Sequence, residues 1–155
     1  MTGGIGVVSW GAMKNTLLGP QRPAVVAALS DLAVSTIDST GGITGMALKG
    51  LLKAAQSARD DVVPTAIDAV LPDLANALEP YWDTYSAGVA ASSFGAYLTE
   101  NREAVAGELA RIADGFVEDR ELGGLTKLYT SARNKGISVL EQHLGALGDV
   151  LEGFM

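Results

Sequence analysis

The sequence predicts an all-α fold, an irregular multi-helix bundle of about six to eight helices, several of them short or proline-kinked. Three observations carry that expectation. Apolar residues recur at i, i+3 and i+4 almost from end to end, no stretch alternates with period two, and β-branched residues are scattered rather than gathered into strand-like runs. With 155 residues, 48% of them hydrophobic, the chain suits one buried core rather than two. The expected organisation is an apolar N-terminal arm over residues 1–16 and a single helical domain over 17–155.

Pro20 and Pro23 fit the first turn of a helix, where a missing amide hydrogen costs nothing, and Val25, Leu29 and Leu32 continue it to about Asp38. Thr40-Gly41-Gly42 interrupts. A second helix is expected from Ile43 to Arg59, with Ile43, Ala47, Leu51 and Ala55 on one stripe; Gly50 on the neighbouring small ridge predicts close approach of another backbone. Asp60 and Asp61 can cap the next segment, whose core stripe is Ile67, Val70, Leu71, Leu74 and Leu78. Pro72 removes a backbone bond inside it and predicts a bend or two short helices, while Pro80 suits the start of a further turn. A short helix follows around Phe94, Tyr97 and Leu98. Asn101 then suits an N-cap for an amphipathic helix carrying Val105, Leu109, Ile112 and Phe116. Gly123-Gly124 opens a segment with Leu125, Leu128, Tyr129 and Ala132, and Gly136 predicts a break or kink before the last helix. There Ile137, Leu140, Leu144, Leu147 and Leu151 form a stripe, widened by Val139, Ala146 and Val150 to about half the circumference.

Net charge is −7, and its distribution is uneven: residues 1–58 carry +2, residues 59–123 carry −9 and residues 124–155 carry 0. Such a balance opposes nucleic acid, which demands clustered Lys and Arg. The acidic middle reads either as a solvated face or as a surface for a basic partner protein. Lys127, Arg133 and Lys135 form the densest basic stretch, suited to a helix end or to the acidic middle of another copy. No apolar run reaches the ~20 residues of a transmembrane helix. Neither a basic flank nor a cleavage site marks Ile5, Val7, Val8 and Trp10 as an export signal, and the absence of cysteine suits a reducing compartment; a cytoplasmic location is expected.

Side chains that usually carry chemistry are scarce. The single histidine, His143, cannot supply the paired Glu-x-x-His ligands of a carboxylate-bridged di-iron bundle, and Glu141 lies at the wrong helical spacing to join it. Zinc is disfavoured without cysteine. Asp60-Asp61 and Glu118-Asp119 are adjacent, so in a helix their carboxylates diverge by about 100° rather than facing each other as acid and base. Gly41-Gly42-Ile43-Thr44-Gly45 and Gly3-Gly4-Ile5-Gly6 lack the lysine of a phosphate-binding loop, and Ser9, Ser92 and Ser93 lack a nucleophile-elbow setting. No catalytic residue, cofactor or metal is predicted.

From Leu17 onward the chain resembles a family of small actinobacterial proteins of unassigned function. The resemblance rests on Leu17-Leu18-Gly19-Pro20 with Arg22-Pro23-Ala24-Val25-Val26, on Leu71-Pro72-Asp73-Leu74, on Leu78-Glu79-Pro80-Tyr81-Trp82 and on Phe94-Gly95-Ala96-Tyr97-Leu98, in that order. It implies an all-helical cytoplasmic domain and carries over no reaction. Met13-Lys14-Asn15-Thr16 would itself make a natural beginning, so Met1 to Ala12 reads as an upstream extension.

Two functional readings follow. The first is a non-enzymatic interaction module that self-associates through the final helix and the N-terminal arm, with Trp10, Leu140, Leu144, Leu147 and Leu151 as the candidate interface. The second is a carrier or sensor of an apolar small molecule, held by the aromatic cluster at residues 81–97, with Trp82, Tyr85, Phe94 and Tyr97 as the candidate pocket.

Overall fold

A computed structural model describes residues 12–120 and 124–155. Among these the chain forms seven helices and no strand: α1 (Ala12–Leu17), α2 (Arg22–Ser39), α3 (Gly42–Ala58), α4 (Val62–Ser86), α5 (Phe94–Glu100), α6 (Arg102–Glu118) and α7 (Gly124–Phe154). The all-α bundle read from periodicity is the fold observed.

Two long helices organise the molecule. α2, α3, α5 and α6 each pack against both α4 and α7, whereas the backbones of α4 and α7 approach each other at most marginally. The shorter helices therefore act as spacers between two rods, and a gap between rods is the natural place for a cavity. The principal core lies towards one end, where Met13 and Leu17 of α1, Val25 and Leu29 of α2, Leu71 and Leu78 of α4, Phe94 and Leu98 of α5, Val105 of α6, and Leu144 and Leu151 of α7 are buried together. A second, smaller cluster gathers Leu48 of α3 with Ala132 and Val139 of α7. Residues 12–16, assigned to the arm by sequence, belong to α1, whose Met13 is completely buried.

Local chemistry sets several boundaries. Pro23 occupies the first turn of α2, and Arg22 ties that end to α4 through Nε to Asp68 Oδ1 at 2.8 Å and Nη2 to the Asp68 carbonyl at 2.9 Å. Gly42, with φ of +68°, makes the left-handed step into α3, and Gly88, with φ of +111°, makes another just beyond α4. Ser93 caps α5, its Oγ accepting the Ala96 amide at 3.0 Å. Asn101 sits at the N-cap position of α6 but does not cap it with its side chain. Instead Nδ2 donates to the Tyr97 carbonyl at 3.0 Å, closing the end of α5. Asp61 likewise makes no side-chain cap and pairs with Arg59.

Expectations from local signals are narrowed at three places. Of the bend or division expected at Pro72, the division is not observed: α4 is one helix through Pro72 and Pro80 for 25 residues, because Leu71, Ala75 and Leu78 are buried on both sides of the lost bonds and that burial outweighs a proline cost of about 3 kcal/mol. α7 likewise continues through Gly136 for 31 residues. The close backbone approach falls not at Gly50, which is exposed with open space around a notional Cβ, but between α5 and α7. There a Cβ on Gly95 would overlap the Gly145 carbonyl, and one on Gly148 would overlap the backbone of Gly95.

Candidate ligand-binding cavity

Between the two core clusters lies an apolar cavity of about 360 Å³, partly open to the surface. Its wall draws on five helices, with Leu29 and Ile37 of α2, Leu48 and Leu51 of α3, Ile67 and Leu74 of α4, Leu109 of α6, and Leu140 and Leu147 of α7 among the lining residues. Members of both clusters face it, so the cavity is the discontinuity in the core. Small residues make the room. Ala33, Ala110, Ala113, Ala132 and Gly136 all line it, and a Cβ added to Gly136 would meet only Leu48 Cδ2 at 3.9 Å.

α7 supplies one side as a continuous stripe. Tyr129, Ala132, Arg133, Gly136, Leu140, His143, Leu144 and Leu147 follow helical spacing, and at 1.5 Å per residue the stripe spans roughly 27 Å. An elongated slot results.

Polar groups are few and mostly engaged. Arg133 holds Asp114 of α6 in a two-pronged pair, Nε to Oδ1 and Nη2 to Oδ2 both at 2.8 Å, while the Tyr129 hydroxyl donates to Oδ1 at 2.6 Å. The Arg133 bond, then the Tyr129 bond, hold the Asp114 carboxyl below its ordinary range. Burial first, and the Asp114 bond second, push the Tyr129 phenol far above its own. The basic stretch at Arg133 thus meets the acidic middle third within one chain. His143, half-buried, places Nδ1 at 2.8 Å from the Val139 carbonyl, and since a carbonyl only accepts, Nδ1 carries the proton and donates.

The aromatic residues named from sequence lie elsewhere. Trp82 meets Phe94 edge-on with ring centroids 5.0 Å apart, Tyr85 lies 5.6 Å from each of them, and Tyr97 lies 6.4 Å from Tyr85. Phe94 is completely buried, and none of the four lines the 360 Å³ cavity. Glu152 near the end of α7 locks this cluster: Oε2 accepts the Tyr85 hydroxyl at 2.7 Å and Oε1 accepts the Phe94 amide at 3.0 Å.

The candidate interface is also redistributed. Leu144 and Leu151 are completely buried within the chain, Leu140 and Leu147 line the cavity, and Trp10 lies outside the described residues. The wide apolar arc of the last helix is occupied by its own bundle. Among the described residues the large apolar side chains that do face outward are Ile43 and Met46 of α3, 77% and 75% exposed, and Leu128 near the start of α7, 43% exposed.

A second, more open groove of about 670 Å³ between α4 and α6 mixes Asp73, Glu108 and Asp119 with Arg111 and Arg120. The Arg120 guanidinium is already stacked 3.8 Å above the Phe116 ring. Among the described residues no group of three His, Asp or Glu is placed to hold a metal, and no helix is long and apolar enough to cross a membrane.

Fold and cavity together define an all-helical bundle built around an apolar slot. The chain belongs to a family of unknown function, DUF6918, which matches residues 13–155. No curated protein and no solved structure matches it.

Proposed function

We propose that the protein binds a single-chain apolar molecule in the slot between α4 and α7, as a carrier or sensor rather than an enzyme. The observation that carries this reading is the apolar cavity dividing the core. Its volume of about 360 Å³ falls in the usual small-molecule range of about 300–1,000 Å³. The slot is partly open, so its apolar lining meets water when empty, and covering that surface is favourable by about 25 cal/mol per Å². Water is held poorly there, because it finds few polar partners. A bound hydrocarbon chain restores the missing contacts. The non-enzymatic part is supported by the state of two polar groups of the wall: Arg133 and Tyr129 are each bonded to Asp114, which does not itself line the slot.

Native mass spectrometry of protein purified gently from its own source tests the proposal. A co-purifying apolar compound, displaced by Ala113→Leu in the cavity wall, is the expected result. Bare protein that is not stabilised thermally by any added single-chain apolar compound would contradict it.

A second reading, self-association, is favoured by one observation, the exposure of Ile43 and Met46 three residues apart on α3. Light scattering is then expected to show a dimer that Met46→Lys dissociates, and a monomer at high concentration would remove it.

A further inference from the structure

We infer that the outer face of α3, together with the start of α7, docks on an anionic lipid surface. The large apolar side chains exposed among the described residues, Ile43, Met46 and Leu128, all belong to these two helices. The helices pack against each other, with Leu48 of α3 clustered on Ala132 and Val139 of α7. At about 100° per residue, Ile43, Met46, Lys49 and Lys53 fall within one arc of α3 and all four are exposed, while Leu48 and Leu51 lie on the opposite side and line the slot. Leu128 and Lys135 share their stripe of α7 with Ala132 and Val139, the residues clustered with Leu48. Charge separates this region from the rest of the molecule. The chain carries −7, yet residues 40–59 hold Lys49, Lys53 and Arg59, and residues 124–140 hold Lys127, Arg133 and Lys135, with no acidic residue in either stretch. Arg59 is paired with Asp61 and Arg133 with Asp114, whereas among the described residues no ion pair engages any of these lysines. Flexible basic chains beside exposed apolar ones suit a helix lying in the headgroup layer, where the apolar groups enter the acyl boundary and the ammonium groups stay with lipid phosphates. A second copy fits this face less well, because a two-fold contact through it sets Lys49 and Lys53 against their own counterparts. Lipid is favoured over an acidic protein by the inner side of the same helix, which lines a slot for an apolar chain of the kind that dissolves in a bilayer; that preference rests on the binding reading above.

Flotation of the full chain with vesicles tests the face, one set made of phosphatidylcholine alone and the other of phosphatidylcholine mixed with phosphatidylglycerol. The expected result is binding to the mixed vesicles at low salt, about tenfold or more tighter than to phosphatidylcholine alone, and its loss at high salt. Lys49→Gln combined with Lys53→Gln should weaken that binding about tenfold to thirtyfold, the contribution of two lysines near an anionic surface. Ile43→Ser combined with Met46→Ser should weaken it about tenfold or more. All four positions are exposed, so both double variants should keep the unfolding midpoint of the unmodified protein. No binding to either vesicle, or equal binding to both, would overturn the inference in the unmodified protein without recourse to a variant. Binding that neither pair of substitutions weakens would overturn it as well. A dimer in light scattering that the same substitutions dissociate, in protein that does not float, would assign the face to a second copy instead. Ala113→Leu, which fills the slot, should float like the unmodified protein. Docking therefore stands or falls separately from the slot, whose own failure shows as an absence of decane binding.

Discussion

Gly95 of α5 lies directly against Gly148 of α7, so close that a Cβ on Gly148 would overlap the Gly95 backbone. This crossing brings α5 onto the long helix and sets the position of Phe94, the largest completely buried side chain. Gly148→Ala is therefore expected to destabilise by about 1–3 kcal/mol, although alanine is intrinsically the better helix former by roughly 1 kcal/mol. Gly50→Ala, on the exposed face of α3, should stabilise by about 0.5–1 kcal/mol. Urea midpoints measure both, and the opposite signs separate backbone contact from propensity.

Asp114 joins α6 to α7 along one wall of the slot. Its carboxyl is held below its ordinary range, so the stabilisation is fully present above about pH 4 and is lost as pH falls through the lowered value. Tyr129 titrates above its ordinary range, so its contribution persists below about pH 10 and fades at higher pH. Asp114→Asn should cost about 1–2 kcal/mol, discounted for partial exposure of the pair, and should flatten the acid limb of a stability–pH curve measured by denaturant.

Ser93→Ala removes the hydroxyl that accepts the Ala96 amide at the start of α5, and a loss of about 1 kcal/mol is expected. Hydrogen exchange should locate the change: amides of α5 lose protection, while those of α3, which does not pack against α5, keep it.

Helical periodicity made most of this fold legible, since α2, α3 and α6 begin and end within a few residues of where the apolar spacing and caps place them. Pro72, Pro80 and Gly136 do not divide the helices that contain them. Each weakens a helix by itself, but the decision belongs to burial of residues around it, which depends on helices distant in sequence. Gly95 and Gly148 could not be paired for the same reason. The slot was the least legible feature. Aromatic clustering at residues 81–97 stood out in the sequence, whereas the room for a ligand comes from Ala33, Ala110, Ala113, Ala132 and Gly136, small residues on three helices that signify nothing until those helices face one another.

Filling the slot should strengthen the fold while abolishing its use. Ala113→Leu adds three carbons to the wall, and at about 0.8 kcal/mol per fully buried methylene, with part lost to imperfect fit, a gain of about 1–2 kcal/mol is expected. A denaturant midpoint reads the gain. A loss of stability would show that neighbouring side chains already occupy the volume.

The most direct test of the central claim is a methyl NMR titration of the full chain with decane. Shifts are expected on Leu29, Leu48, Leu109, Leu140 and Leu147, which line the slot from four helices, and they should disappear in Ala113→Leu. Unmoved methyls at saturating decane, or shifts confined to the exposed Ile43 and Met46, would contradict it.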